Sequence, residues 1–186
     1  MGRFYWLLLF LASAIATHAA YVLYYPGYNF DNKVEAVLGG NSTNKMLLLE
    51  PAQVSRLFPA YSVSDIVALC RYDLTHGPVA ISAKLPRGYW TFSIFTVKGR
   101  QVYSLTDAQA GENTFTVDLS QSPDLIAKVK GALDDGGESE AIGEAGWRVE
   151  TPETKGLAVI WVPVADPIFR STTLQAVRDS RCAQNR

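Results

Sequence analysis

The chain has 186 residues, of which 48% are hydrophobic and 19% are charged, and its formal net charge is -1. This length suits one folded domain with a sizeable core and is short for two domains. The 17 basic residues are scattered along the chain, so the sequence does not predict a nucleic-acid-binding surface.

The N-terminal part is apolar. Residues 4–25 (FYWLLLFLASAIATHAAYVLYY) contain no Asp, Glu, Lys or Arg, and a helix of this length crosses the ~30 Å hydrocarbon core of a membrane. We therefore predict a single-pass transmembrane anchor at residues 1–25. Arg3 keeps the short N-terminal tail in the cytoplasm, so the rest of the chain is exported. The alternative is a signal peptide cleaved near Ala16, where small residues follow an apolar stretch, with secretion of the mature protein.

A polar segment rich in Gly and Asn follows the apolar stretch. Pro26 and Gly27 are expected to end the first helix. Residues 26–45 are then predicted to form a juxtamembrane stalk, with a short helical turn near residues 33–38, and residues 46–186 an exported β-rich domain.

The first part of this domain is predicted to contain a short strand, a helix and a hairpin. The strand begins at Met46, and the helix starts near Pro51 and ends before Pro59. Residues 67–74 and 78–85 are predicted to be two strands that pair as a hairpin around the three-residue link at 75–77.

A second hairpin is predicted for GYWTFSIFTVKGRQVYSLTD, residues 88–107. With Lys98 and Gly99 as a two-residue turn, Ile94 pairs with Tyr103, and the register brings apolar residues onto one face. The face expected to point inward carries Trp90, Phe92, Ile94, Tyr103 and Leu105. The opposite, amphipathic face carries Thr91, Ser93, Phe95, Val102 and Ser104.

The remaining elements complete an α+β pattern. In chain order they are a strand at 114–119, a helix at 122–134, a strand at 147–150, a central strand at 157–164 that is buried on both faces and ends at Pro163, and a terminal helix at 168–180. The predicted fold class is therefore α+β and mainly antiparallel, sandwich or jelly-roll-like, with two or three helices besides the N-terminal transmembrane helix.

The two cysteines, Cys70 and Cys182, are 112 positions apart. In an oxidising compartment a bridge between them would close a loop worth about 4 to 5 kcal/mol in the chain-entropy model. We predict this disulfide, the alternative being two unrelated thiols. The spacing matches no common metal-binding pattern, and no metal or cofactor site is predicted.

Catalytic chemistry has few candidates in the exported part. His76 is its only histidine, so a Ser-His-acid triad would have to use a residue in a turn. Paired carboxylates are the other possibility, among Asp134, Asp135, Glu138, Glu140 and Glu144. The Gly-containing surroundings of these acids favour a solvated loop, and we assign no catalytic residue.

Five polar residues on the predicted strands are candidate binding residues. Arg71 and Asp73 alternate along one strand, and Tyr103, Ser104 and Asp107 lie on the second hairpin. They could converge in a small polar pocket. Cross-strand pairing that completes a sheet is the alternative that we favour.

The same strands carry a family resemblance. The segments CRYDL, GYWTFSIFTVKGRQVYSLTD and LAVIWVPV, the last followed by a cysteine, resemble the short membrane-anchored members of the domain-of-unknown-function family numbered 1254. The resemblance covers residues 68–182. In that family an Asp often precedes the Gly turn and an Asn precedes the last Asp, whereas this chain has Lys98 and Thr106 at those places.

The resemblance implies a bacterial envelope protein of unassigned activity, with sandwich or jelly-roll domains in its longer relatives. It implies an inner-membrane anchor with a periplasmic domain. Longer relatives fuse this domain to one of the family numbered 1214, which implies a separate companion protein as a noncovalent partner here. The expected function is a noncatalytic binding or interaction domain, and the alternative is an exported hydrolase-like enzyme that uses carboxylates or His76.

Overall fold

The computed structural model describes residues 2–39, 43–122 and 146–185. The strands in these ranges are β1 Met46–Leu48, β2 Ile66–Asp73, β3 Val79–Lys84, β4 Thr91–Thr96, β5 Gln101–Thr106, β6 Thr114–Gln121, β7 Trp147–Thr151, β8 Lys155–Val162 and β9 Arg181–Gln184. The helices are α1 Gly2–Leu38, α2 Pro51–Leu57, α3 Asp107–Ala110 and α4 Arg170–Arg178, and a 3₁₀ turn at Pro167–Phe169 precedes α4.

The strands form two sheets. The five-stranded sheet has the order β1-β2-β8-β4-β5, and the four-stranded sheet has the order β7-β6-β3-β9. Neighbouring strands are antiparallel except for the parallel pair β6 and β7. The α+β, mainly antiparallel class is confirmed. The prediction of a central strand is also confirmed, because β8 lies in the middle of the larger sheet and five consecutive residues of it are buried.

The main core lies between the two sheets. Trp90 and Phe92 of the larger sheet pack on Phe115 of the smaller one, with ring centroids 5.2 and 5.0 Å apart. The inward face predicted for the second hairpin is confirmed. Four of its members are buried and Tyr103 is half-buried against them. Alternation of apolar side chains along β4 therefore positions this hairpin over the core.

The first helix is longer than predicted. It continues past Pro26 and Gly27 and ends at Leu38, where Gly39 adopts a left-handed conformation at φ 70°. The prediction that the proline ends the helix is wrong. Proline removes only its own N–H donor, at a cost of about 3 kcal/mol, and packing of the following turns can offset that cost.

The last turns of α1, which contain Val34, Val37 and Leu38, dock on the domain within the segment for which a juxtamembrane stalk was predicted, residues 26–45. Val34 is 1% exposed and packs with Val54 and Leu57 of α2 on the outer face of the larger sheet. The Gln53 side chain donates a hydrogen bond to the Val37 carbonyl at 3.3 Å. The spacing of Val34, Val37 and Leu38 forms the short apolar stripe typical of a docked helix.

The first predicted hairpin does not form. β2 pairs with β1 and β8, whereas β3 pairs with β6 and β9 in the other sheet. Residues 75–77 therefore carry the chain from one sheet to the other, with Gly77 at φ 128°. The physical reason is burial: five consecutive residues of β2 are buried, which requires strands on both sides and cover on both faces.

The second hairpin forms with a different turn. Ile94 pairs with Tyr103 and Phe92 pairs with Leu105, as predicted, but Phe95 pairs with Gln101. The extra residue is Val102, which forms a bulge. The Thr96 amide donates to the Arg100 carbonyl at 2.9 Å, so three residues form the loop and Gly99 takes φ 77°. Such a three-residue loop with a left-handed glycine is a common hairpin connection.

The disulfide between Cys70 and Cys182 is confirmed. It joins β2 of the larger sheet to β9 of the smaller sheet, a strand that the sequence did not predict. The short helix α3 was not predicted either, whereas the terminal helix is present as α4. The predicted helix at 122–134 and the acidic segment after it lie outside the described residues, apart from their end residues 122 and 146.

Candidate functional site

The five predicted binding residues do not form one site. Arg71 and Asp73 lie on β2, whereas Tyr103 and Ser104 lie on β5. Strands β8 and β4 separate β2 from β5, which places them roughly 14 Å apart at the usual strand spacing. Asp107 begins α3 beyond the end of β5.

Asp73 closes the end of β2. Its carboxylate accepts hydrogen bonds from the amide and hydroxyl of Thr75 and lies 3.3 Å from the Lys155 ammonium. Partial burial of the Asp73 carboxylate favours its protonation. The Thr75 hydrogen bonds and the Lys155 charge outweigh this effect and hold the pKa of Asp73 below its usual value of 3.8. These contacts give Asp73 a structural role at the strand end.

The lowered pKa of Asp73 predicts a pH-dependent contribution to stability. A group with a depressed folded pKa stabilises the protein above its unfolded pKa, and this stabilisation is lost as the pH falls through the folded pKa. We expect Asp73→Asn to cost less than about 1 kcal/mol near neutral pH, because the ion pair is at the surface. The difference should shrink as the pH falls below about 4 and vanish once the pH is below the folded pKa. Urea unfolding of both proteins in mild detergent, from neutral pH to below pH 4, tests this prediction. A stability difference between wild type and Asp73→Asn that does not change with pH contradicts it.

The residues on β5 complete the sheet. The Ser104 hydroxyl lies 3.3 Å from the Ser93 hydroxyl directly across the strand pair. Tyr103 lies on the opposite face against the main core, and burial raises its pKa. The Asp107 amide donates to the Trp90 carbonyl at 3.3 Å. These contacts fit the cross-strand alternative.

His76 lies in the exposed link between β2 and β3, and no hydrogen bond joins it to a residue of the described ranges. The carboxylates weighed with it lie outside those ranges. Among the described residues, no acid or nucleophile is hydrogen-bonded to His76.

A groove of about 410 Å³ at one end of the sandwich is the strongest candidate site. Three segments form it: the link between β3 and β4, the chain that leaves β8, and the first turns of α4. Pro86 follows β3, and Pro163 follows β8, so both chains leave their sheets where the groove begins. Its lining residues are Pro86, Arg87, Gly88, Tyr89, Val162, Pro163, Val164, Ala165, Asp166, Phe169, Thr172 and Thr173.

The groove has an apolar rim. Tyr89 is 55% exposed and Phe169 is 64% exposed, and both line the groove. Outside α1, the exposed large apolar residues of the described ranges are these two, Ile168 and Val63. Ile168 adjoins Phe169. The Arg170 guanidinium donates to the Ser64 carbonyl beside Val63. The exposed apolar surface of the domain therefore collects at one end.

One buried hydroxyl lines the groove. Four polar side chains of the described residues are buried: Thr96, Thr151, Thr173 and Ser180. Three of them form hydrogen bonds, whereas none joins the Thr173 hydroxyl to a described residue. Thr173 is only 4% exposed. The Thr173 oxygen is not among the described unpaired atoms that are sealed from solvent, so water in the groove can hydrogen-bond to it and a bound ligand can take the place of that water.

A row of aromatic rings leads away from the groove. Tyr89 contacts Trp161 edge to face at 5.8 Å, Trp161 stacks on Tyr61 at 5.0 Å, and Tyr61 stacks on Phe58 at 5.3 Å. Phe58, Tyr61 and Trp161 pack on the same cluster as Val34 of α1. Apolar surface is thus continuous from the docking site of α1 to the rim of the groove.

Asp65 holds this aromatic row in place. Its carboxylate accepts hydrogen bonds from the Trp161 indole N–H at 2.9 Å and from the Ser62 amide at 3.0 Å. We expect Asp65→Ala to lower the free energy of unfolding by about 1 to 3 kcal/mol, because both donors lose their acceptor. Asp65→Asn retains a carbonyl oxygen and should recover most of the loss in urea unfolding. Equal losses for the two variants would contradict this role.

Two turn segments of the sequence indicate the groove. Large apolar residues occur in two turn segments, PRGY at 86–89 and DPIF at 166–169. Turns are normally polar, so exposed aromatic residues in them are typical of binding surfaces.

Comparisons with known proteins show that the fold occurs in other proteins, and they assign no activity to this chain. No family model matches the chain, and no curated protein matches it. A crystal structure of the VPA0106 protein from Vibrio parahaemolyticus is similar, with a TM-score of 0.59, 11% identity, and coverage of 87% of this chain and 36% of that one. An uncharacterized protein from Burkholderia cenocepacia has a TM-score of 0.49, 10% identity, and coverage of 84% and 38%. The chain thus spans little more than a third of either structure, and the first likeness shows the fold alone.

Proposed function

We propose that this chain is a bacterial envelope protein, anchored in the inner membrane by α1, whose periplasmic domain binds a ligand noncatalytically in the groove. The N-terminal 24 residues of α1 are long and apolar enough to cross a membrane. The disulfide fits an oxidising compartment. The resemblance to the family numbered 1254 supports the envelope location.

The observation that carries the binding function is the Thr173 hydroxyl. Thr173 as a whole is only 4% exposed, it lines an apolar groove that its hydroxyl can reach, and this hydroxyl has no hydrogen-bond partner among the described residues. Ligand sites are mostly apolar concavities with a few polar groups that orient the ligand. The groove fits this pattern in volume, lining and position.

The hydrolase alternative gains no support from the described residues. His76 follows the C-terminal end of β2, whereas the groove lies beside its N-terminal end, where Ile66 pairs with Val162. Eight residues of strand separate the two ends by roughly 25 Å. His76 is therefore remote from the groove.

A bulky substitution tests the binding function. Full-length protein is extracted from its native membrane in lipid discs, and native mass spectrometry records what remains bound. Ala165→Trp fills the groove, and Ala108→Trp on the exposed side of α3 is the matched control. We expect a bound species on the wild type and the control and none on Ala165→Trp. A wild type that carries nothing, or an Ala165→Trp variant that retains the species, contradicts the proposal.

The state of the N-terminus tests the anchor. We expect protein extracted from membranes to retain α1, because the helix continues without a break from the apolar segment into the turns that dock on the domain. Intact-mass analysis measures this directly. A mature chain that begins near Ala16 would instead support the secreted form.

We also propose the companion protein of the family numbered 1214 as a noncovalent partner. The support is the fused arrangement in the longer relatives of the family that this chain resembles. Co-purification from detergent extracts tests it. We expect the companion in the eluate of the tagged chain, and its absence would count against the pair.

A further inference from the structure

We propose that the ligand of the groove is a single-chain anionic amphiphile of the fatty-acid type. Its hydrocarbon chain lies along the apolar lining, and its head group is held by Arg87 and the Thr173 hydroxyl. This inference rests on the proposed function and specifies the chemistry of the same site.

The lining and the volume favour a hydrocarbon chain. The walls of the groove that would contact it are Pro86, Tyr89, Val162, Pro163, Val164 and Phe169. A volume of about 410 Å³ lies near the lower end of the range for small-molecule sites. Such a volume suits one chain better than the two chains of a phospholipid.

The charges at the groove favour an anionic head group. Arg87 is exposed, and no carboxylate of the described residues pairs with it. Asp166 is the acidic residue of the lining, but its carboxylate accepts the Ile168 amide at 2.9 Å at the start of the 3₁₀ turn. This hydrogen bond engages the Asp166 carboxylate with its own turn and leaves its negative charge in place. The groove thus carries one cationic and one anionic side chain, and Arg87, which pairs with no described carboxylate, is the group that would bind an anionic head.

Thr173 adds a polar contact that a pure hydrocarbon could not use. Its hydroxyl can donate to a carboxylate oxygen and accept from water at the head group. The unpaired atoms that are sealed from solvent are Trp90 Nε1 and Gln184 Nε2 among the described residues. The Thr173 oxygen is not one of them, so a ligand in the groove can reach it.

The membrane is the source that the structure favours for this ligand. Residues 26–38 continue α1 by about 20 Å beyond the apolar segment, and its last turns, which contain Val34, Val37 and Leu38, pack on the domain. The aromatic row continues this apolar surface to Tyr89 at the rim. A single-chain amphiphile that leaves the membrane would therefore meet apolar surface on its way to the groove.

Binding of labelled fatty acids tests the proposal. The full chain in lipid discs is titrated with octanoate, laurate or palmitate carrying a ¹³C-labelled carboxyl group, and empty discs supply the background. We expect a shifted carboxyl resonance with the wild type. Affinity should rise with chain length by up to about fourfold per methylene until the groove is full.

Matched variants assign the contacts. We expect Ala165→Trp to abolish the shifted resonance. Arg87→Gln should weaken binding about tenfold, whereas Arg178→Gln on the exposed end of α4 should not change it. Thr173→Val should weaken binding about threefold to tenfold, whereas Ser171→Ala, which removes an exposed hydroxyl two residues earlier and outside the groove, should not. Far-UV circular dichroism of each variant establishes that it is folded.

Three outcomes would overturn the inference. If dodecanol binds with the same affinity as laurate, the anionic head group does not contribute to binding. Binding of a phosphocholine lysolipid without binding of laurate would change the ligand class. Fatty-acid binding by the Ala165→Trp variant as strong as that of the wild type would place the binding site outside the groove. The two proposals can fail separately. If fatty acids do not bind, but the species found by native mass spectrometry is present on the wild type and absent from Ala165→Trp, the proposed ligand class is wrong and the proposed binding function is still supported.

Discussion

Replacing Cys70 and Cys182 together by alanine should lower the free energy of unfolding by about 4 to 5 kcal/mol. The bridge closes a loop of 112 positions, with Cα atoms 6.4 Å apart. It also ties β2 of the larger sheet to β9, an edge strand of the smaller sheet. Loss of the bridge increases the freedom of the unfolded chain and removes this tie between the sheets, so unfolding in urea should require much less denaturant.

Reduction provides the control for this prediction. A strong reductant should lower the stability of the wild type by a similar amount and leave the double variant unchanged. Alanine is preferred to serine because both cysteines are buried, and an unpaired hydroxyl would add a cost of its own. A loss below about 1 kcal/mol in the double variant would contradict the structural role of the bridge.

Replacing Gly156 by alanine should destabilise the protein by about 3 kcal/mol or more. Gly156 lies in the central strand β8, and an added Cβ would overlap the Phe95 carbonyl oxygen and the phenol ring of Tyr72. The Tyr72 hydroxyl donates to that same carbonyl at 3.1 Å. Neither group can move without disturbing a buried strand, so the variant should unfold at lower denaturant or fail to accumulate.

Gly111→Ala is the matched control. Gly111 has open space around its Cα, but its φ of 68° is unfavourable for alanine, which costs on the order of 1 kcal/mol. The Gly156 variant should therefore lose clearly more stability than the Gly111 variant in the same urea titration. Equal effects of the two glycine substitutions would contradict the close packing at β8.

Local patterns in the sequence were sufficient to predict the elements that face the core. Alternation through Phe92 and Ile94 indicated both a strand and its inward face, because a shift of one residue would have exposed the apolar set. The uninterrupted apolar run from Leu157 to Val162 indicated a strand covered on both faces. In both cases the burial of each side chain follows from the period of the strand itself.

Pairing between distant strands could not be predicted in the same way. The link at 75–77 is compatible with a tight hairpin and with a crossing between sheets, and only the partners of β2 and β3 distinguish the two. The end of α1 depended likewise on tertiary contacts. Pro26 is a helix breaker locally, but Val34 is buried only because α2 and the larger sheet are present.

The groove was not predicted, because it exists only in the folded chain. Its walls come from residues 86–89 and 162–166 together with Phe169, Thr172 and Thr173, and no local pattern relates these segments. The polar residues that were selected from single strands, such as Arg71 and Ser104, lie on strands that others separate. Spacing along a strand indicates which residues share a face, but it does not indicate which strands are neighbours.

Photochemical labelling tests the central claim, that the groove holds an amphiphile, most directly. The full-length protein in lipid discs is irradiated with a palmitate that carries a diazirine, and the labelled peptides are mapped. We predict labels on the peptides that contain Tyr89 and Phe169 and their loss in Ala165→Trp. Labels confined to α1, with the groove peptides unmodified, would contradict the account.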